Sequence, residues 1–287
     1  MKAELLINSA CILGEGPFWH DHKIHWIDIK EKTLFTYKPS SSGSRSIKLH
    51  DYAGAVVPRQ SGGWTAALRD GFYHIHANGE AEFIADPESH LSDNRFNDGK
   101  TDQHGRFVAG TMSLSNEEKK GALYRLERDG SVHKMLDHVS LSNGLAWTHD
   151  GNTFYHIDTP TQKINAYDYN LDTGELSNGR TVIEVPPGEG APDGMTIDTE
   201  GNLWVAHWGG GQVACWDPRT GKKLRSIELP VEQVTCCTFG GEEMNELFIT
   251  TARDGLSQED LEKQPLAGGL FHVKLDVKGY PVTPFRG

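Results

Sequence analysis

Short apolar runs separated by polar turns recur along the whole chain, and sustained helical periodicity is almost absent. Ile24-His25-Trp26-Ile27, Leu123-Tyr124-Arg125-Leu126, Leu203-Trp204-Val205-Ala206 and Leu247-Phe248-Ile249-Thr250 read as strands, being rich in β-branched and aromatic residues. Asp70-Gly71, Asp129-Gly130, Asp150-Gly151 and Glu200-Gly201 punctuate the runs as turns. One helix is expected, over 257–266, where Ser257 and Asp260 have capping-box spacing and Pro265 limits the length.

The runs are organised as repeats. Units begin near Glu15, Gly54, Asn97, Asn143, Asp193 and Thr235, roughly 40 to 50 residues apart, a length that suits four short strands and their turns. The units starting SNGLAW and PDGMTID share an internal grammar. Each has an initial strand, a glycine turn, a second strand, a third ending in Tyr-Asp or Trp-Asp, and a Thr-Gly turn before the fourth. Six such units predict an all-β chain folded as a six-bladed β-propeller with four-stranded antiparallel blades. Glu4-Leu5-Leu6-Ile7 precedes the first unit and is expected to close the ring as the N-terminal strand of the last blade, beside strands from 269–277. Residues 1–287 are expected to form a single propeller domain.

Composition narrows the function classes. Hydrophobic residues at 37% allow a substantial core, and 40 acidic against 28 basic residues leave a net charge of −12. That balance argues against nucleic acid, since phosphate binding needs clustered Lys and Arg. No apolar stretch approaches the length of a membrane-spanning helix. The first residues lack an apolar signal core, and Cys11, Cys215, Cys236 and Cys237 show no C-x-x-C spacing. Buried reduced thiols and a cytoplasmic location are expected. The oligomeric state is not legible.

The repeat starts carry the candidate chemistry. Glu15-Gly16, Asn97-Asp98-Gly99, Asn143-Gly144 and Asp193-Gly194 each place an oxygen-bearing side chain where a strand begins. Asn97, Asn143 and Asp193 stand eight residues before Gly105, Gly151 and Gly201, so the ordinary turns follow later. In a propeller the first strand of each blade lines the central channel. Glu15, Asn143 and Asp193 would then turn two carboxylates and one amide oxygen to the axis, a donor set for Ca²⁺, Mg²⁺, Mn²⁺ or Zn²⁺. Arg95 and Asn97 add hydrogen-bonding capacity at the same mouth, while Asp98 and Asp102 read as turn stabilisers. The 14 histidines show no ligand spacing and read as structural, and no G-x-S-x-G occurs.

The strings GEGPFW, RFNDGKTDQHGRFVAGTM, SNGLAW, PDGMTID, CCTFGG and ARDG, in that order, resemble the regucalcin/gluconolactonase (senescence marker protein) family. The resemblance implies one divalent cation on the axis of a six-bladed propeller that acts on sugar lactones. It makes Glu15, Asn143 and Asp193 the metal ligands, Arg95 and Asn97 the substrate-binding pair, and Asp193 the catalytic proton-transfer residue. One departure concerns the substrate loop: after Gly110-Thr111-Met112, where some members place a substrate-binding glutamate, this chain has Ser113-Leu114-Ser115-Asn116. Whether Asp193 is itself the base or orients a water activated by the cation stays open at this level. So do two rivals: a calcium-binding regulatory propeller without catalysis, and a hydrolase of the paraoxonase or organophosphatase kind, whose site would need apolar walls.

Overall fold

Twenty-four short strands, one short α-helix and two 3₁₀ turns make up the regular structure, and the strands pair strictly into six four-stranded antiparallel sheets. The computed structural model describes residues 1–287 and is a six-bladed β-propeller. The inner strands of blades 1 to 6 are Gly14–His20, Ala53–Pro58, Asn94–Thr101, Ser142–Trp147, Ala191–Ile197 and Val234–Gly240. Each packs against the next, and the last against the first, so the ring is closed. Blade 6 is completed by Glu4–Ile7, which pairs with Leu270–Lys274. An expected strand therefore falls where the sequence put it.

Strand position explains the residue pattern. Inner strands such as Ser142–Trp147 are buried throughout because neighbouring blades cover both faces, whereas the outermost, such as Val132–Val139, face solvent. The core is correspondingly divided into six apolar clusters, one at each interface between blades. Between blades 5 and 6, for example, Trp204 and Cys215 pack with Cys237, Phe239 and Phe271. All four cysteines are free and buried, as anticipated.

The helix is shorter than the sequence suggests, spanning Gln258–Lys263 with a reciprocal Ser257–Asp260 capping box. Gln264 leaves the helical region because it precedes Pro265, whose ring disfavours a helical conformation in the residue before it. Residues 275–287 carry no repeat and cross one end of the channel as a strap. Lys278 O accepts from Thr199 N (2.8 Å), Tyr280 stacks on His149 (4.4 Å), and Gly105 O accepts from Arg286 N (3.0 Å). Phe285 is buried in the cluster between blades 2 and 3. The strap so ties blades 2 to 5 together and leaves the opposite mouth, where the inner strands begin, uncovered by it.

Candidate active site

Every inner strand has a β-bulge at the same height. Pairing with the second strand slips between Glu15 and Phe18, Ala53 and Ala55, Phe96 and Asp98, Asn143 and Leu145, Pro192 and Met195, and Val234 and Cys236. A bulge leaves a residue unpaired, bends the strand and re-aims a side chain. Six of them around an axis make a ring of re-aimed positions near one mouth. The glycines after the oxygen-bearing residues belong to this bend: Gly16 and Gly144 have φ of 50° and 26°, values that cost a residue with a Cβ more.

Glu15, Asn97, Asn143 and Asp193 stand at four of these bulges, all buried, and Arg95 precedes Asn97 on the same strand. The structure joins part of the set directly. Asn97 Nδ2 donates to Asn143 Oδ1 at 3.0 Å and to Ser142 O at 2.9 Å, while Asn143 Nδ2 donates to Thr159 Oγ1 at 2.8 Å. Glu15 accepts from Gly16 N at 2.8 Å. Arg95 Nη1 donates to Phe96 O at 2.8 Å, its one hydrogen bond, so most of its donors are unengaged.

Asp98 corrects the sequence reading. It is no surface turn residue but a channel carboxylate, 5% exposed, accepting from Gly99 N at 2.7 Å. Its local signature, Asp before Gly, is that of a turn, and only the bulge beside it distinguishes the two. Asp102 does hold a turn, accepting from Arg106 N at 2.9 Å, and it also receives the Tyr169 hydroxyl of blade 4 at 2.7 Å. Lys100 was likewise missed: its ammonium donates to Met195 O at 2.8 Å, binding blade 3 to the Asp193 strand.

The channel charges are unbalanced. Burial and the Asp98 charge push the Glu15 carboxyl up to about 8, and burial with Glu15 and Asp98 drives Asp193 well above the carboxylate range. Burial also raises Asp98 and lowers Arg95 to about 10, which leaves the guanidinium charged at neutral pH. Neither Arg95 nor Lys100 closes an ion pair with the three acids. Carboxylates held against their charge, beside an oriented amide oxygen, suit a hard divalent cation. No three His, Cys, Asp or Glu side chains gather closely enough to hold an ion by themselves, so Asn143 Oδ1 is needed to complete a set.

A stability test follows for the metal-free protein. Glu15 titrates near 4.5 when unfolded and about 8 when folded, so its stabilisation is full below 4.5 and lost as pH rises through 8. His25 and His156, held neutral by burial with values of about 4, act in the opposite sense up to 6.5. The diagnostic is therefore a difference. With chelator present, the denaturation midpoint of Glu15→Gln should gain on wild type as pH climbs from 4.5 to 8. A gap independent of pH would mean that Glu15 is not held protonated.

Other candidates fall away from this mouth. His20 ends the inner strand and His22 lies in the hairpin turn that follows, at the far end from this mouth, and His25 stacks on Phe18 at 4.6 Å. His207 is fully buried with Nδ1 on Glu189 O at 2.9 Å. Glu117 and Glu118 are exposed on the loop after Ser113. A cavity of about 290 Å³ occupies the strapped half of the channel, between Trp19, Trp147, Phe239 and Tyr280, with Asp98 and Lys100 in its wall. Glu15, Asn143 and Asp193 do not line it. The bulge ring, where oxygen donors converge, is the better candidate for chemistry.

Residues 13–253 match the model of the SMP-30/Gluconolactonase/LRE-like region. A Bacillus subtilis (strain 168) protein, provisionally named sugar lactone lactonase YvrE, is 41% identical over 100% of this chain and 99% of its own length. Regucalcin of Sus scrofa is 40% identical over 100% of this chain and 99% of its own. Among solved structures, the calcium-binding protein regucalcin of Agrobacterium tumefaciens str. C58 superposes with a TM-score of 0.95 at 28% identity, over 100% of this chain and 98% of that one.

Proposed function

We propose, on the premise that this chain belongs to the SMP-30/gluconolactonase/LRE-like family, that it is a lactonase opening a sugar (aldono-) lactone to the aldonic acid, with a divalent cation held by Glu15, Asn143 and Asp193. The observation that carries this reading is the 3.0 Å hydrogen bond from Asn97 to Asn143 Oδ1, because it links a group suited to sugar hydroxyls with a cation donor in one buried network.

The bound cation supplies Lewis-acid polarisation of the ester carbonyl. The chain's own groups do the rest. Arg95 donates to sugar hydroxyls through guanidinium hydrogens that no protein acceptor takes, and Asn97 accepts from them through its amide oxygen, which fixes the lactone in one orientation. Asp193 takes a proton from the attacking water as the new C–O bond forms. It returns that proton to the ring oxygen as the acyl–oxygen bond breaks, leaving a hydroxyl and a carboxylic acid. Polar Arg95 and Asn97 beside the donors suit a hydroxylated substrate better than a hydrophobic ester or phosphotriester.

Chelator-stripped protein screened on aldonolactones with a pH indicator, then resupplied with Ca²⁺, Mg²⁺, Mn²⁺ or Zn²⁺, tests this. Acid release should require a cation, and Arg95→Ala should raise KM more than it lowers kcat. Undiminished opening in chelator would remove the cation from the mechanism. Cation uptake without any lactone opening would leave the regulatory calcium-binding reading instead.

A further inference from the structure

We infer that Thr159 is a positioning residue that sets which end of the Asn143 amide faces the channel axis, an inference that rests on the cation reading above. Thr159 opens the short 3₁₀ turn that follows the second strand of blade 4, and its backbone N is held by Leu141 O at 3.1 Å. Its hydroxyl has one hydrogen, which it donates to Pro192 O at 2.8 Å. Toward Asn143 it can therefore only accept, and it does so from Nδ2 at 2.8 Å. A reversed amide would press its oxygen against an oxygen with no hydrogen left to give. The amide oxygen is thus turned inward, where one lone pair takes the Asn97 hydrogen and the other stays free for a cation. Pro192 is also the residue before Asp193, so a single hydroxyl ties an amide donor on blade 4 to the carboxylate strand of blade 5.

Comparison between blades supports the assignment independently. In blades 1, 4 and 5 the second strand ends opposite the start of the inner strand, in the pairs Gly14–Asp28, Ser142–Asp158 and Ala191–Trp208. The next residues are Ile29, Thr159 and Gly209, so of these three blades only that of Asn143 has a hydroxyl there; blade 3, whose Asn97 is not among the proposed cation donors, has Leu114 in the same place. Glu15 and Asp193 present two equivalent oxygens and need no such setting. Asn143 presents one oxygen and one nitrogen, and only the oxygen can bind a cation.

Calorimetric titration of chelator-stripped protein with Ca²⁺, repeated with Mn²⁺, tests the inference. Outer partners of metal ligands are typically worth about 10- to 100-fold in affinity, so Thr159→Val should weaken binding by that factor, while Thr159→Ser, which keeps the hydroxyl, should stay near wild type. In an Asn143→Asp background both side-chain oxygens are alike, and Thr159→Val should then cost little. A purely structural threonine would cost the same in both backgrounds. Circular dichroism checks folding, with Thr159→Ala substituted if Thr159→Val does not fold. The inference is overturned by unchanged affinity in Thr159→Val, by an equal loss in Thr159→Ser, or by an equal penalty in the two backgrounds. Should wild type bind neither cation, the cation reading itself falls, a result separable from any pattern among variants.

Discussion

Asp193→Asn should lose about a thousandfold or more of its lactone turnover while the metal-free protein becomes more stable, not less. The two effects share one cause. Burial, together with the charges of Glu15 and Asp98, holds this carboxyl far above its ordinary range, so at neutral pH the native state either keeps a proton on it or carries unrelieved repulsion. An amide has nearly the same shape and no charge, and so relieves both. It also cannot take a proton from water, and it would weaken the proposed cation site. Opposite signs in activity and stability mark a side chain kept for chemistry at a cost to folding. Thermal midpoints in chelator, set beside kcat on the best lactone of the screen, give the comparison. Turnover within tenfold of wild type, or a clear fall in midpoint, would make Asp193 a structural residue.

The repeat and the oxygen-bearing positions at the strand bends were legible because one physical device generates both. Each inner strand must bend toward the axis, the bend is a bulge, and glycine after Glu15, Asp98, Asn143 and Asp193 is its residue-level trace. The same trace misled at Asp98, since Asp-Gly also spells an ordinary turn and only pairing register separates the cases. Lys100 and Thr159 left no trace. Their partners, Met195 and Pro192, lie 95 and 33 residues away, and a contact between blades has no local pattern. The strap of residues 275–287 escaped for a related reason: it belongs to no repeat, and Phe285 finds its pocket between two distant blades.

Gly54→Ala is the substitution from which we expect the largest structural damage, although Gly54 carries no chemistry. Blade 2 contributes no side chain at its bulge, and the space is taken by the backbone of blade 3. A Cβ at position 54 would lie 2.3 Å from Phe96 C, 2.4 Å from Phe96 O and 2.5 Å from Asn97 N. Those are main-chain atoms of a strand buried on both faces, so no rotamer change can clear them. Overpacking of this kind costs about 1 to 3 kcal/mol and sometimes more, and here the strand that must yield carries Arg95 and Asn97. The displacement would also strain the Asn97 bond to Asn143 Oδ1, and misplacement by about 1 Å can cost on the order of a hundredfold in rate. Gly54→Ala should therefore lower the urea midpoint and kcat/KM together. Gly43→Ala is the matched control, because only the flexible Ser41 hydroxyl, at 3.1 Å, opposes a Cβ there. If Gly54→Ala kept both wild-type stability and wild-type kcat/KM, the close approach of blades 2 and 3 at the axis would be refuted, and with it the bulge ring as the frame that aims Asn97.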